Sequence, residues 1–544
     1  MKKKNILIAS GIALLSLTIT GCSYILDFID NNTNIDDSAF DVDKVDVNGK
    51  TIIQQTYKDV SNKSVYNIDY CPTTGNIKLL IIPVWLYDSS EYIASSKKES
   101  VRQNIEKAYL GSNSDTGWRS VKTYYEELSN NSITITGTVT DWYSTSYTKS
   151  QVGRSDDITK ELVSASTDWY FSNNPSDSRK NYDSDNNGYL DAVMLIYGAP
   201  DYDALGDDNL SNLWAYCFWL QEDNPTSVPQ PNAFFWASYD FMYSKGSFLK
   251  PTPAGSEYGS GDTSHCNIDT HTYIHEMGHI FGLEDYYDYG SNNYSPAGGF
   301  SMQDRNAGCH DPYSVMALGW ANPYIVTENS EVKIGTFQKT RDLIVVTEKW
   351  NGIGSPFDEY LILELYSPTG LNELDSNYTY GGVTRGPRKV GIRLWHIDAR
   401  LAYSNSYKTI TEHGVKKNVL EFFPSQLTSD AKDRERKATY GVTHAFTNTY
   451  DNEDYGSVLG PSYYDYNILQ LIRKTSRFST SDLKNQIDES DLFTSGTYQL
   501  SDYKDQFVNS RTFKMNNGTF ANWKIKVEIS GSGNDSTAKI SIVK

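Results

Sequence analysis

His275-Glu276-Met277-Gly278-His279-Ile280-Phe281-Gly282-Leu283-Glu284-Asp285-Tyr286-Tyr287-Asp288 is the stretch on which the reading of this chain turns. Its first half predicts a helix with two histidines at i and i+4, so both imidazoles leave one face about 5–6 Å apart. Two neutral ring nitrogens at that separation suit one divalent cation, and zinc takes them at about 2.0–2.1 Å. Glu276, beside the first histidine, is placed to accept a proton from a water on such an ion. With 8 His and 68 acidic residues in a chain of 544, this pattern arises by chance roughly 0.015 times per chain. A helix with two surface histidines is the weaker reading.

The residues after the second histidine decide how the site is completed. A thermolysin-like site needs a glutamate on a second helix, and between Met277 and Thr327 the sole glutamate is Glu284, too close for that role. A metzincin-like site needs a glycine turn and a ligand six residues past the second histidine, which here are Gly282 and Asp285. In a continued helix, residue 285 would sit about 240° around from His279 and roughly 9 Å along the axis. Gly282 permits the positive φ that ends the helix and swings the chain back. Asp285 is the expected third ligand, with Glu284 and Asp288 as alternatives. Asp269 is expected to cap the helix. His271 is expected in a solvated first turn, or supporting the site from behind the ligands.

Upstream, Asp183-Ser184-Asp185-Asn186-Asn187-Gly188-Tyr189-Leu190-Asp191 has the opening of a calcium loop. Asp183, Asp185, Asn187 and Asp191 offer side-chain oxygens, Tyr189 a carbonyl, and Gly188 the tight turn. A structural Ca²⁺ is expected there, although position 12 is Met194 rather than glutamate.

Further out, Lys78–Val84 is a continuous apolar run that predicts a buried strand. Helices are expected at 97–110 and 120–128, and strands at 132–140 and 192–197. Beyond about residue 330, segments such as EYLILELY (359–366) and GIRLWHID (391–398) are β-like, with His396 a satisfied histidine among them. WKIKVEIS (523–530) alternates and turns back into AKISIV. The fold class is therefore α+β: a catalytic domain over 71–330, a β-rich extension over 331–475, and a C-terminal β-sandwich-like domain over 476–544.

The N-terminus carries an export signal: Lys2, Lys3 and Lys4, then the short apolar run Ile6–Leu17. Gly21-Cys22 resembles a lipobox, so residues 1–21 are expected to be removed, Cys22 lipidated, and 22–70 to form a flexible acidic tether. Export makes one or two disulfides plausible among Cys71, Cys217, Cys266 and Cys309. A net charge of −19 repels phosphate backbones and argues against nucleic acid as a partner. A monomer held to a membrane through its lipid is expected.

Several motifs lie in one order along about residues 75–400: SVKTYYEELSNNSITITGTVTDWY (120–143), DSDNNGYLDAVMLIYG (183–198), the helix above, and GGFSMQDRNAGCHDPYSVMALGW (298–320). Together they resemble the immune inhibitor A-like family of secreted bacterial metallopeptidases, whose zinc helix reads HExxHxxGLPDxYD. The resemblance implies a metzincin-like fold, zinc-dependent endopeptidase action on polypeptides, and a methionine turn, assigned to Met302 with Met316 as a core residue. The family's proline is replaced by Glu284, and Asp304 stands where some metzincins have a tyrosine. The oxyanion-stabilising group stays open among Tyr287, Tyr313 and His310. The rival reading is a surface lipoprotein, inactive or weakly active, that binds host or matrix ligands; Glu276 has no purpose in it.

Overall fold

Five strands and the helices on both of their faces set the position of the candidate site. In the computed structural model the described residues are 35–61, 67–221, 228–243, 266–287, 289, 295–380, 383–384, 386–412, 415–423, 431–444, 447–448, 467–475, 486–506 and 514–544. The expected export signal, Cys22 and Asp288 lie outside them.

In chain order this region runs α1 (Tyr57–Val60), β1 (Gly75–Trp85), α2 (Lys98–Leu110), α3 (Val121–Leu128), β2 (Ile133–Val139), α4 (Asp156–Asn173), β3 (Val193–Tyr197), β4 (Tyr216–Trp219) and β5 (Ala233–Ser238). The strands lie in the order β2-β1-β3-β5-β4. The first three neighbouring pairs are parallel, and β4 closes the edge antiparallel to β5. Strand β1 shows why its run reads as continuously apolar. Ile77, Leu79 and Ile81 point into a core shared with α2 and α3. Leu80, Ile82 and Val84 point into a second core shared with α4. A strand with helices on both faces has no polar side.

The chain then enters α5 (His271–Ile280), α6 (Met302–Arg305) and α7 (Pro312–Ala317). Asp311 accepts from Ser314 N, with Pro312 in the first turn, so α7 starts as its sequence predicts. The β-rich remainder comprises β6 (Tyr324–Val326), β7 (Ser330–Gly335), β8 (Ile344–Val346), β9 (Glu359–Tyr366), β10 (Gly391–Asp398), β11 (Leu401–Glu412), β12 (Val415–Phe422), β13 (Leu469–Ile472), β14 (Gly496–Gln499), β15 (Lys524–Ser530) and β16 (Thr537–Val543). One sheet runs β13-β10-β9-β8-β6; another runs from Val45–Asp46 through β7-β16-β15-β14.

These two sheets share an apolar core of Val332, Ile334, Leu361, Leu363, Leu394, Ile525, Val527, Ile540 and their neighbours. The other face of β9 and β10 carries Tyr360, Ile362, Trp395 and Ile397 into the core beneath α5. One sheet therefore serves two cores, and EYLILELY and GIRLWHID are buried throughout. The expected division at 475/476 does not separate compact bodies: strands on both sides share one core, and Ile35–Lys544 form one unit.

The expected tether is corrected where it is described. Phe40, Tyr57 and Val60 are buried, Val45 pairs with Ser330, and Thr51 N donates to Pro323 O at 2.8 Å. Polar composition concealed these few anchors. The expected disulfides are also corrected, because Cys71, Cys217 and Cys309 are free thiols. Among the described residues, no helix is long and apolar enough to cross a membrane.

Candidate metal centre

Helix α5 is fixed at both ends before any ligand is considered. At its start, Thr270 Oγ1 donates to Arg119 O at 2.7 Å, and Asp269 Oδ1 accepts from His271 N at 3.1 Å. At its end, Gly282 N donates to His279 O and Leu283 N to Gly278 O. That is the Schellman pattern, with Gly282 at the left-handed position, φ 106°. A Cβ there would come within 2.8 Å of Tyr57 Cβ. Glycine is thus required both by the turn and by the close approach of α1.

The turn carries Asp285 back to the histidines. Asp285 Oδ1 lies 3.0 Å from His275 Nε2 and 3.4 Å from His279 Nε2, and the two Nε2 atoms are 3.2 Å apart. The ring orientations come from the other nitrogens. His275 Nδ1–H donates to Met302 O at 2.7 Å, and His279 Nδ1–H donates to Leu283 O at 2.7 Å. A carbonyl can only accept, so both rings carry a proton on Nδ1, and in its neutral form each directs an Nε2 lone pair inward. The buried Asp285 Oδ1 receives no hydrogen bond, while Tyr289 Oη donates to Oδ2. Two lone pairs and an orphaned carboxylate oxygen facing one another repel unless a cation lies among them. This donor set fits a divalent ion, and zinc in particular.

Protonation follows the same crowding. Burial opposes a charge on His279, but with no cation present the Asp285 carboxylate raises it to about 9, so a proton on the ring then occupies the place a metal ion would take. Burial likewise opposes ionisation of Asp285, yet the two imidazoles hold its carboxyl well below the usual range. Glu276 is buried on the same helix. Desolvation pushes its carboxyl up, against the pull of His279 and His275.

The remaining candidates separate clearly. Glu284 accepts from His444 Nδ1 at 2.7 Å, away from the three converging atoms. Met302 is fully buried and offers its carbonyl to His275; Met316 lies in the core. Tyr313 is buried, with its hydroxyl 3.1 Å from Tyr57 Oη. His310 is buried between Tyr124 Oη (2.9 Å) and Gln303 Oε1 (3.1 Å). Of the three oxyanion candidates, Tyr287 is the one beside the histidines, its ring 6.5 Å from that of His275.

His271 is neither solvated nor part of the His275-His279-Asp285 group. Its Nδ1 meets Asp269 at 2.7 Å and its Nε2 meets Asp375 at 3.0 Å, and Trp118 stacks on it at 4.4 Å. Against the cost of burial, the two carboxylates raise it to about 10.

The calcium expectation is not supported. Among the described residues, the group able to hold a metal is His275-His279-Asp285. Asp183 spends its oxygens on Asn187 N and Gly188 N, and Asp191 Oδ1 accepts from Ser184. Asp185 pairs with the Lys58 ammonium at 2.9 Å, so a fixed cation already stands beside this loop. Tyr189 N donates to Asn187 Oδ1 at 2.8 Å, an Asx turn.

Gln303 is a contributor that sequence reasoning missed. The signal was Gly278, a glycine inside a helix, where a Cβ would collide with the Gln303 amide. No comparable signal marks Asp375 or His444.

Comparison with known proteins adds one positive finding. Residues 98–226 match the model of the immune inhibitor A peptidase M6 catalytic domain. A comparison with curated proteins gives no match. The matched segment runs from α2 past β4 and contacts the metal helix directly: Tyr125 Oη donates to Ile274 O at 2.6 Å, and Trp118 stacks on His271. The match supports an immune inhibitor A-like metallopeptidase.

Proposed function

We propose that the chain is a zinc-dependent metalloendopeptidase, exported and held to a membrane by a lipid on Cys22. A peptidase of this family acts on polypeptides and implies a metal. The observation that carries the zinc reading is the convergence of two Nε2 atoms on an orphaned, buried Asp285 Oδ1. His275, His279 and Asp285 would hold the ion, leaving a coordination position for water or substrate. A zinc ion bound there supplies Lewis acidity, which polarises a carbonyl and makes water acidic near neutral pH.

The protein's own groups do the rest. Glu276, one residue from His275 and buried, takes the proton of the attacking water on its carboxylate and returns it to the departing amine. Desolvation lifts that carboxyl toward working pH, as proton transfer in both directions requires. Tyr287 flanks the histidines and can donate from its hydroxyl to the developing oxyanion. Met302 and Leu283 fix both ring orientations through their carbonyls. The metzincin-like reading is supported by the mostly parallel sheet with one antiparallel edge strand, followed by a metal helix ended at Gly282.

The test is digestion of a denatured protein by the zinc-loaded chain, the chelated chain and a Glu276→Gln variant. Cleavage should disappear on chelation and return with zinc. Glu276→Gln should bind zinc and cleave on the order of a hundredfold or more slowly. Equal cleavage by that variant would end the role of Glu276 as general base, whereas absence of cleavage by the zinc-loaded wild-type chain would favour the ligand-binding lipoprotein. Release from membranes by Cys22→Ala tests the anchor.

A further inference from the structure

The third metal-facing residue is held from far outside the stretch that contains it. Glu284, immediately before Asp285, accepts from His444 Nδ1–H at 2.7 Å. Tyr286, immediately after it, gives its carbonyl to Asn448 Nδ2 at 3.2 Å. Both holding residues are buried, and both are fastened in turn. His444 Nε2 faces Tyr313 Oη at 3.4 Å, and the His444 ring packs edge-on to Tyr57 at 5.4 Å. Asn448 Nδ2 also donates to Leu469 O at 2.8 Å, and its Oδ1 accepts from Leu469 N at 3.2 Å, which anchors it to β13.

We infer that His444 and Asn448 are positioning residues that set the Asp285 carboxylate against His275 and His279. This rests on the proposed metal site. The physical argument is one of loop entropy. Between Gly282 and the ligand there are two residues, and the Schellman bonds hold the helix end but not the backbone beyond Leu283. A three-residue excursion fixed at one end still samples several φ/ψ wells at each residue, and ordering it costs conformational entropy. Fixing residues 284 and 286 removes that freedom on both sides of 285, and Tyr286 N donating to Gln303 O adds a third point. The side chain between them is then delivered in one orientation. Glu284 stands at the position where the resembling family has proline, a residue that would stiffen this turn through its ring. Here the stiffness comes from an intramolecular partner 160 residues away.

The test is zinc affinity by competition with a chromogenic chelator, together with the visible spectrum of the Co²⁺-substituted full chain, which reports ligand geometry without catalysis. His444→Ala and Asn448→Ala should each weaken zinc binding about tenfold or more, the range for groups that orient ligands, and should alter the cobalt spectrum. His444→Gln, which keeps a donor for Glu284, should recover most of the affinity. Melting of the metal-free proteins is the control. Unchanged affinity and spectrum in both alanine variants would overturn the proposal. So would losses in His444→Gln as large as in His444→Ala, or affinity losses matched by equal loss of metal-free stability. Failure of the wild-type chain to bind zinc would instead sink the metal reading itself.

Discussion

The two ends of helix α5 place the same residue types in similar surroundings and reach opposite chemistry. At the first end, His271 has a carboxylate on each ring nitrogen and an indole on its face. Such a ring is a cation with no lone pair to offer. One turn on, His275 and His279 give Nδ1 to backbone carbonyls and turn both Nε2 atoms toward one carboxylate oxygen, where a metal ion can take the place of a proton. Histidine and aspartate in one cluster therefore do not make a metal site. What Nδ1 is bonded to decides whether the ring is a ligand or an ion-pair partner.

That contrast can be broken in order of effect. Dividing the roughly 10–16 kcal/mol of a structural zinc site among its ligands gives about 4 kcal/mol each, near a thousandfold in affinity. His279→Ala should lose that much on zinc titration while leaving metal-free melting nearly unchanged. His271→Gln should do the reverse: zinc affinity within a few-fold of wild type, and stability lower by about 3 kcal/mol because Asp269 and Asp375 are left buried without a cation. Denaturant unfolding of the metal-free chain measures it.

The same residue gives a pH signature. His271 is raised from 6.5 to about 10 in the folded state, so the native form holds the extra proton between those values. Its contribution is complete below about pH 6.5 and is lost as pH rises toward about 10. Unfolding measured from pH 6 to 10 should show wild type and His271→Gln converging. Gly282→Ala, with a positive φ and Tyr57 against its Cβ, should cost about 2 kcal/mol and weaken zinc, joining the two properties that the histidine variants keep apart. Smallest is Trp118→Leu, which removes the stacked ring and should cost about 1 kcal/mol in unfolding, without effect on zinc.

Features encoded within a dozen residues were legible in advance. The i, i+4 histidines, the Gly282 turn, the return of Asp285 and the Asp311-Pro312 helix start all depend on local geometry, and the structure has each of them. Most strand positions were legible for the same reason, as continuous apolar runs where both faces are covered and as alternation in β15. Partners supplied from afar were not. The burial of His271 was not legible because Asp375 lies 104 residues away, nor was the partner of Glu284, an alternative ligand, because His444 lies 160 away. The Asp183–Asp191 loop misled in the opposite direction: its oxygens match a calcium pattern by type, but its own amides hold those of Asp183 and Lys58 pairs with Asp185. The apolar core shared by the two later sheets crosses the expected boundary, because alternation shows which face of a strand is apolar, and not which distant strand will cover it.

The central place of β16 between β7 and β15 governs how this molecule can be assembled. Ser541 and Glu331 meet across 210 residues, so the middle of that sheet closes only after a very long excursion of the chain, and high contact order makes such closure slow. Until it happens, two strand edges stand open to any other polypeptide nearby. Recovery from denaturant should therefore depend on dilution, because a lone molecule finds its own missing strand and a crowded one finds its neighbour's.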